Sequence, residues 1–253
     1  MLAIDVGNTH ITTALMEGGE IRLIRRLSTQ VCLDTGRFFE HLDLAGERAA
    51  GGSVLSSVRP EATAVISREC RERLGQSPLV VTGGTPMGIT SRYRSPATLG
   101  VDRLVNAAAC HHLHTRGERA GIVIDMGTAT TIDYVTRGGA FLGGAIAPGL
   151  LSACRGLLSA APELPTVDLS PVGEVIGTTT HECIRSGVIA GHAAMVQGMV
   201  SLMARGRRPR PLIVVTGGLL PVVEDRLPGE YLRDEHLLVR GLMAIYGLQE
   251  KGV

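Results

Sequence analysis

Two places in this chain end an apolar run in an aspartate and follow it with glycine and hydroxyl residues. The first is Asp5-Val6-Gly7-Asn8-Thr9, after Leu2-Ala3-Ile4. The second is Asp125-Met126-Gly127-Thr128-Ala129-Thr130, after Gly121-Ile122-Val123-Ile124. A carboxylate at the end of a buried strand is costly unless a partner answers it. The glycine lets backbone approach a ligand closely, and Asn8, Thr9 and Thr128 add short polar side chains. Such a turn can present amides and hydroxyls to a phosphate while its carboxylate holds a cation. Taken singly, the first motif reads equally as an Asx-type turn that caps its own backbone. Two copies, about half the chain apart, point instead to a nucleotide's phosphates gripped from two sides in a cleft between related domains.

A third carboxylate, Asp102, sits in Gly100-Val101-Asp102-Arg103 at the start of an apolar helical stretch. One reading is an exposed pair at a helix start, where an acid favours the dipole. The other is a general base for a substrate hydroxyl, with Arg103 gripping an anionic group on the acceptor. An ordinary aspartate titrates near ~3.9 and is a weak base for an alcohol. It can still take the proton as the oxygen becomes acidic on attack, an effect of about 10²–10⁴ in rate. Two unit negative charges at ~4 Å repel by about 4 kcal/mol at an effective dielectric of ~20. A polyphosphate beside Asp5 and Asp125 therefore calls for a cation, and Mg²⁺ arriving with ATP supplies one. Gly143-Gly144-Ala145-Ile146-Ala147-Pro148-Gly149 is a further small-residue loop that permits close approach; alone it also reads as a tight connection.

These residues need elements to hold them. Leu2–Asp5, Ile11–Met16 and Ile21–Leu27 read as strands, with Glu17-Gly18-Gly19 as a hairpin turn. A helix is expected near 35–44, a strand at Ser53–Val58, a helix after Pro60 and a strand at Leu79–Thr82. The order βββαβαβ results. Gly121–Asp125, Ala129–Val135 and Ala140–Ala147 repeat the three-strand opening, and Leu212–Thr216 is a later strand before Gly217-Gly218. A repeat this long implies two similar domains. The boundary is expected in His114–Ala120, which gives domains 1–117 and 118–253. Gly100–His112 reads as the helix carrying Asp102.

With 253 residues, 44% of them apolar, 19% charged and a net charge of +1, the chain can bury a core and is not disordered in composition. Three Phe, four Tyr and no Trp exclude an aromatic platform for single strands, and near-neutral charge argues against a duplex binder. No nucleic-acid partner is expected; basic Arg205–Pro211 reads as a solvated loop. Five scattered cysteines without a C-x-x-C imply buried thiols in a reducing compartment. His111, His112 and His114 do not share one helix face, so they are not read as a metal cluster. The uncharged run Gly138–Cys154 carries five glycines and a proline, and Ser186–Ala204 carries His192, Gln197 and Ser201. They read as strand-and-turn and as a buried helix, so a cytoplasmic protein without a membrane span is expected.

Together these motifs resemble those of type III pantothenate kinase, in the superfamily of acetate and sugar kinases, heat-shock chaperones and actin. The resemblance runs through Asp5-Val6-Gly7-Asn8-Thr9, Tyr93-x-x-Pro96, Gly100-Val101-Asp102-Arg103, Asp125-x-Gly127-Thr128-Ala129-Thr130, Gly143-Gly144-x-Ile146-x-Pro148-Gly149 and Thr216-Gly217-Gly218. It implies an α/β fold of two ribonuclease-H-like domains with the ligand cleft between them. The implied reaction is ATP-dependent phosphorylation of pantothenate, the first step of coenzyme A synthesis. It further implies Asp102 as proton acceptor, and Asp5, Val6, Gly7, Asn8, Thr9, His10, Thr12 and Thr128 on ATP. Tyr93, Gly100, Val101, Asp102, Arg103 and Thr180 would line the pantothenate pocket. Asp125 would hold a monovalent cation, K⁺ or NH₄⁺, Asp5 would bear on the Mg²⁺ of ATP, and the protein would be a homodimer. Other chemistries on the same fold, a small-molecule kinase or phosphatase, and a nucleotide-binding regulator are the competing readings.

Overall fold

The computed structural model describes residues 1–43, 51–170, 173–227 and 229–251. The chain divides into two compact units. One is Met1–His114 with His236–Val253, and the other is Thr115–Glu235.

The first unit opens with β1 (Leu2–Val6), β2 (His10–Glu17) and β3 (Glu20–Ser28), then α1 (Thr29–Thr35), β4 (Ser53–Ser57), α2 (Pro60–Leu74) and β5 (Leu79–Val80). This is the expected βββαβαβ order. Its sheet runs β3-β2-β1-β4-β5. β1 lies between antiparallel β2 and parallel β4, and Leu2, Ala3 and Ile4 are all fully buried in succession, so both of its faces are covered and it reads as continuous apolar sequence. Leu2, Ile4, Val6, Ile11 and Leu55 are fully buried, and Phe38 and Ile66 join the same core.

The helix expected near 35–44 is corrected. α1 occupies Thr29–Thr35, and Gly36, in the left-handed conformation at φ 63°, ends it. Ser28 caps α1 by accepting from the Val31 amide, so the chain passes from strand to helix without a loop. The remainder of that expectation, from residue 44, falls outside the described residues. α2 begins with proline at its first turn and ends at Gly75, as its sequence dictates.

After β5 come β6 (Thr90–Ser91), a 3₁₀ turn at Pro96–Thr98, and α3 (Val101–Ala109), which continues into a π-helical stretch, Cys110–Thr115. The Gly100–His112 expectation thus contains two helical geometries.

The second unit holds β7 (Gly121–Met126), β8 (Ala129–Val135), β9 (Ala140–Pro148), α4 (Leu150–Ala160), α5 (Thr180–Ala204), β10 (Leu212–Thr216), α6 (Leu220–Val223) and β11 (Leu232–Arg233). Its own strands run β9-β8-β7-β10-β11, the same arrangement as the first sheet. β7 is antiparallel to β8 and parallel to β10, as β1 is to β2 and β4. The internal repeat seen in sequence is therefore a repeat of topology.

α7 (Leu237–Glu250) returns to the first unit, where it packs on α3, β1 and β4. The division between 117 and 118 carries this helix with the second half; the compact units differ there. The reason is a close helix approach. A Cβ on Gly241 would lie 2.8 Å from the Val105 carbonyl oxygen and 2.9 Å from Ala109 Cβ, so only glycine allows α7 so near α3. That packing braces the helix whose first turn bears Asp102.

α5 is long and apolar enough to cross a membrane. Its Ile184, Val188, Ile189, Ala193, Val196 and Val200 instead form one wall of the second unit's core. Cys32, Cys70, Cys110 and Cys154 are buried free thiols, and Cys183 is exposed. Burial pushes the Cys70 thiol up to about 11 and Cys110 up to about 12, so neither is a thiolate near neutral pH.

Candidate active site

In the first unit, Asp5 is half-buried at the end of β1, and the chain turns at once into β2. The Gly7 amide donates to the His10 carbonyl at 2.9 Å, and a Cβ on Gly7 would sit 3.1 Å from that oxygen. Thr29 ties the turn from behind: its hydroxyl donates to the Gly7 carbonyl at 2.9 Å, and its amide to the Thr9 carbonyl at 3.0 Å. Asn8, Thr9 and His10 are left exposed at the tip. Val6 is fully buried, so its backbone alone can serve a ligand. Thr12 stands directly across from Asp5 on β2, and Ser56 stands across from it on β4. The Ser56 hydroxyl donates to Asp5 Oδ1 at 2.8 Å, which answers the charge at the strand's end. Nothing in the local sequence around Ser56 marks it; only the parallel register does.

The second turn is one residue tighter. Asp125 faces Thr131 on β8, whereas Asp5 faces Thr12 on β2, and the Gly127 amide closes on the Ala129 carbonyl at 3.0 Å. Thr128 therefore occupies the exposed tip, as Asn8 and Thr9 do, while Thr130 is buried in the strand and hydrogen-bonds His192 Nε2 at 3.0 Å. Burial holds His192 below the usual imidazole range, so it is neutral near neutral pH. The Thr128 carbonyl is pinned twice, by the Gly149 amide at 3.1 Å and the Ser152 hydroxyl at 2.7 Å. Thr216 of β10 lies beside Asp125 at the position Ser56 takes beside Asp5. Gly217 follows at φ 102°, and a Cβ there would fall 2.4 Å from the Met126 nitrogen. Gly217 and Gly149 are thus the supports of this turn, and the glycine motifs of the sequence mark them.

Asp102 lies in the first turn of α3, with Gly100 as N-cap. Its Oδ1 accepts from the Arg103 amide at 2.9 Å. Burial pushes its carboxyl above the ordinary carboxylate range, opposed in part by that hydrogen bond and by the Arg103 charge. A raised pKa makes Asp102 a better proton acceptor than an aspartate in water. Arg103 is only 6% exposed, and its guanidinium stands 5.7 Å from the centre of the Tyr93 ring. The first unit thereby gathers Tyr93, Gly100, Val101, Asp102 and Arg103 at one helix start.

Thr180 opens α5 in the second unit. Of the three adjacent threonines, Thr178 donates its hydroxyl to Glu182 at 2.8 Å, and Thr179 is the N-cap, its hydroxyl accepting from the Glu182 amide at 3.2 Å. Glu182 reaches back to the Thr179 amide, completing a capping box. Two hydroxyls are thus committed to the helix end. Thr180 instead lines a cavity of about 620 Å³ together with Pro148, Leu157, Leu164, Cys183 and His192. That wall is mostly apolar, with the threonine hydroxyl as one of its few polar groups.

Residues 1–202 match the family model for type III pantothenate kinase. The type III pantothenate kinase of Syntrophotalea carbinolica is 36% identical over 262 residues, covering 100% of both chains. That of Moorella thermoacetica is 34% identical over 255 residues, covering 97% of this chain and 98% of its own. Among solved structures, a putative Baf family transcriptional activator from Campylobacter jejuni superposes with a TM-score of 0.64 at 17% identity, covering 100% of this chain and 99% of its own. Component A of the (R)-2-hydroxyglutaryl-CoA dehydratase of Acidaminococcus fermentans follows at a TM-score of 0.58 and 14% identity, with the same coverage. The inorganic polyphosphate/ATP-glucomannokinase of Arthrobacter sp. strain KM shares the fold at 0.51 and 13%, covering 99% of this chain and 98% of its own. These structures carry the fold, two ribonuclease-H-like halves, and the sequence relatives carry the family. The chain belongs to the type III pantothenate kinase family.

Proposed function

We propose that this protein transfers the γ-phosphate of ATP to the primary hydroxyl of pantothenate, giving 4′-phosphopantothenate, the first step of coenzyme A biosynthesis. The observation that carries the reading is Asp102. It is a half-buried carboxylate with a raised pKa, fixed by the Arg103 amide at a helix start braced by α7. As the substrate oxygen attacks phosphorus its proton becomes acidic, and Asp102 accepts it. Arg103, stacked over Tyr93, holds the acceptor's anionic group, while Gly100 and Val101 supply backbone at the same helix start. Phosphoryl transfer asks little else of the protein beyond positioning and neutralisation of charge.

ATP is assigned to the exposed turn tips at Asn8, Thr9 and His10 and at Thr128. The donors offered beside them are amides, hydroxyls and carboxylates, which suit a polyphosphate and hard cations. Asp5 and its Ser56 partner fit a role near Mg²⁺ that arrives on the nucleotide. Among the described residues no group of three or more His, Cys, Asp and Glu gathers, so such an ion would draw most of its ligands from phosphate and water. Asp125, with Thr216 beside it, offers oxygen donors suited to K⁺ or NH₄⁺. When bound, these cations supply neutralisation of the phosphate charge.

The homodimer is part of the same proposal. Gly187, Gly191, Ala194 and Gly198 form an exposed small-residue face on α5, and Ile146 and Leu151 are exposed in the same unit at 63% and 44%. A second copy of the chain would cover that face. The free thiols and the absorption of α5 into a core support a cytoplasmic setting.

A direct test is the initial rate of ADP release with ATP and pantothenate, with and without K⁺. We expect Asp125→Asn to lose most of its response to K⁺ and about tenfold or more in kcat/KM for ATP, while the pantothenate KM moves less. A K⁺ titration unchanged in that variant removes the cation role from Asp125.

A further inference from the structure

The mechanism leaves one cluster unused, the histidines that follow α3. We infer that His112 is a positioning residue, anchoring the segment Met87–Pro96 so that Tyr93 meets Arg103 in the acceptor pocket. The inference rests on the reading of Tyr93 and Arg103 given above.

Three observations carry it. First, the helix that starts with Asp102 changes to π geometry at Cys110. A π turn takes about one residue more than an α turn, so side chains along it drift off the face that a continuous α-helix would give them. His112 lies inside that stretch. Second, its Nε2 lies 2.7 Å from the Met87 carbonyl oxygen. A carbonyl can only accept, so Nε2 carries the hydrogen and donates. Third, the imidazole rests on bare backbone at Gly88, where φ is 68°. A Cβ there would fall 2.6 Å from both Cε1 and Nε2 of the ring. Gly88 is therefore required twice, by its conformation and by the ring above it.

The anchored stretch is also held at its neighbouring carbonyl, Pro86, by Gln249 of α7 at 2.8 Å. Met87 itself is 3% exposed, a plug beneath the anchor. Downstream, the Ser91 hydroxyl accepts from the Tyr93 amide at 3.2 Å, and Thr98 and Leu99 close onto Ser95 and Pro96 to lead into Gly100. One continuous helix thus grips this segment near both ends: at Met87 through His112, and at Gly100 through its own first turn. Tyr93 lies between the two grips, where a small shift at Met87 would move the ring off the guanidinium.

Two variants separate the donor from mere bulk. His112→Leu removes the hydrogen bond. His112→Gln keeps an N–H donor at about the reach of Nε2. Losing one such bond is worth about a five- to tenfold change. We expect His112→Leu to raise the pantothenate KM by about that factor, with kcat and the ATP KM within about twofold, and His112→Gln to restore it. In a Tyr93→Ala background the His112→Leu change should add nothing further, because the two act in series. Limited trypsin digestion reads the anchor without turnover. Arg92 and Arg94 are exposed, and cleavage there should quicken by about the same factor in the Leu variant but not in the Gln variant. Cleavage at the wild-type rate in a folded His112→Leu protein overturns the anchor. Faster cleavage with an unchanged pantothenate KM overturns the positioning role. If Tyr93→Ala itself leaves the pantothenate KM unchanged, the acceptor-pocket reading beneath the proposal fails instead.

Discussion

Replacing Asp102 by asparagine should abolish most turnover and make the protein more stable. The first half follows from chemistry. The asparagine amide cannot accept the proton of the attacking hydroxyl, a loss of about 10²–10⁴ in kcat. Its carbonyl oxygen can still accept the Arg103 amide bond that Asp102 now holds at 2.9 Å. The helix start should therefore survive, and ATP should bind with nearly unchanged affinity. The second half follows from linkage. Burial raises the folded-state pKa of Asp102 above its unfolded value. For an acid shifted that way, the unfolded state is the more ionised one in the window between the two values. Stability is then lost as pH rises across that window to the folded pKa, and above it the buried charge is a liability. The neutral amide removes it, so the melting temperature should rise, and the pH dependence of stability just above the ordinary carboxylate range should flatten. Activity carries the matching signature: kcat should fall as pH drops through the raised Asp102 pKa. A variant with wild-type turnover removes Asp102 from the mechanism. One that is inactive but less stable removes the desolvation argument.

Gly149→Ala should damage both the stability of the second unit and its hold on the Asp125 turn. The backbone there is ordinary, with φ at −68°, so conformation is not the difficulty. Space is. The added Cβ would lie 2.3 Å from the Gly127 carbonyl oxygen and 2.6 Å from that of Thr128, and backbone can yield only by moving the turn. Overpacking of this kind costs about 1–3 kcal/mol or more. The displaced turn bears Thr128 and follows Asp125, so the ATP KM should rise by about tenfold or more as stability falls. Gly156→Ala, in the α4 helix that Gly149 caps, is the control, because nothing lies within 4 Å of its added Cβ. There the loss of chain entropy in the unfolded state favours alanine, and stability should rise by about 0.5–1 kcal/mol. Opposite signs at these two glycines, read by thermal denaturation, would establish that the Asp125 turn rests on Gly149.

The parts of this fold legible in the sequence are those in which local pattern and burial agree. β8 at Ala129–Val135 and β10 at Leu212–Thr216 fall where the turns and glycines flanking them put them. The duplicated Asp-x-Gly turns announce the duplicated sheet. α1 escapes such a reading because Ser28 both ends β3 and caps the helix, leaving no loop to signal the change. The return of α7 to the first unit depends on Gly241 meeting α3, a contact between residues far apart in the chain that no periodicity records. At the site, Asp5, Asp102 and Asp125 stand out as carboxylates at element ends. Ser56 does not, since a serine inside a strand has no local mark, and it becomes Asp5's partner only through parallel register. Spacing alone does not resolve the run Thr178-Thr179-Thr180. The capping box engages the first two hydroxyls and leaves Thr180 on the cavity wall.

The central claim is that pantothenate is the acceptor and its primary hydroxyl the atom phosphorylated. Phosphorus NMR of the purified protein incubated with Mg²⁺, K⁺, ATP and pantothenate tests it most directly. The expected spectrum gains one phosphomonoester resonance, coupled to the methylene protons beside that hydroxyl, in step with ADP. It should be missing with Asp102→Asn and when sugars replace pantothenate. ADP formed at the same rate without pantothenate, or a monoester appearing on a sugar instead, would contradict the account.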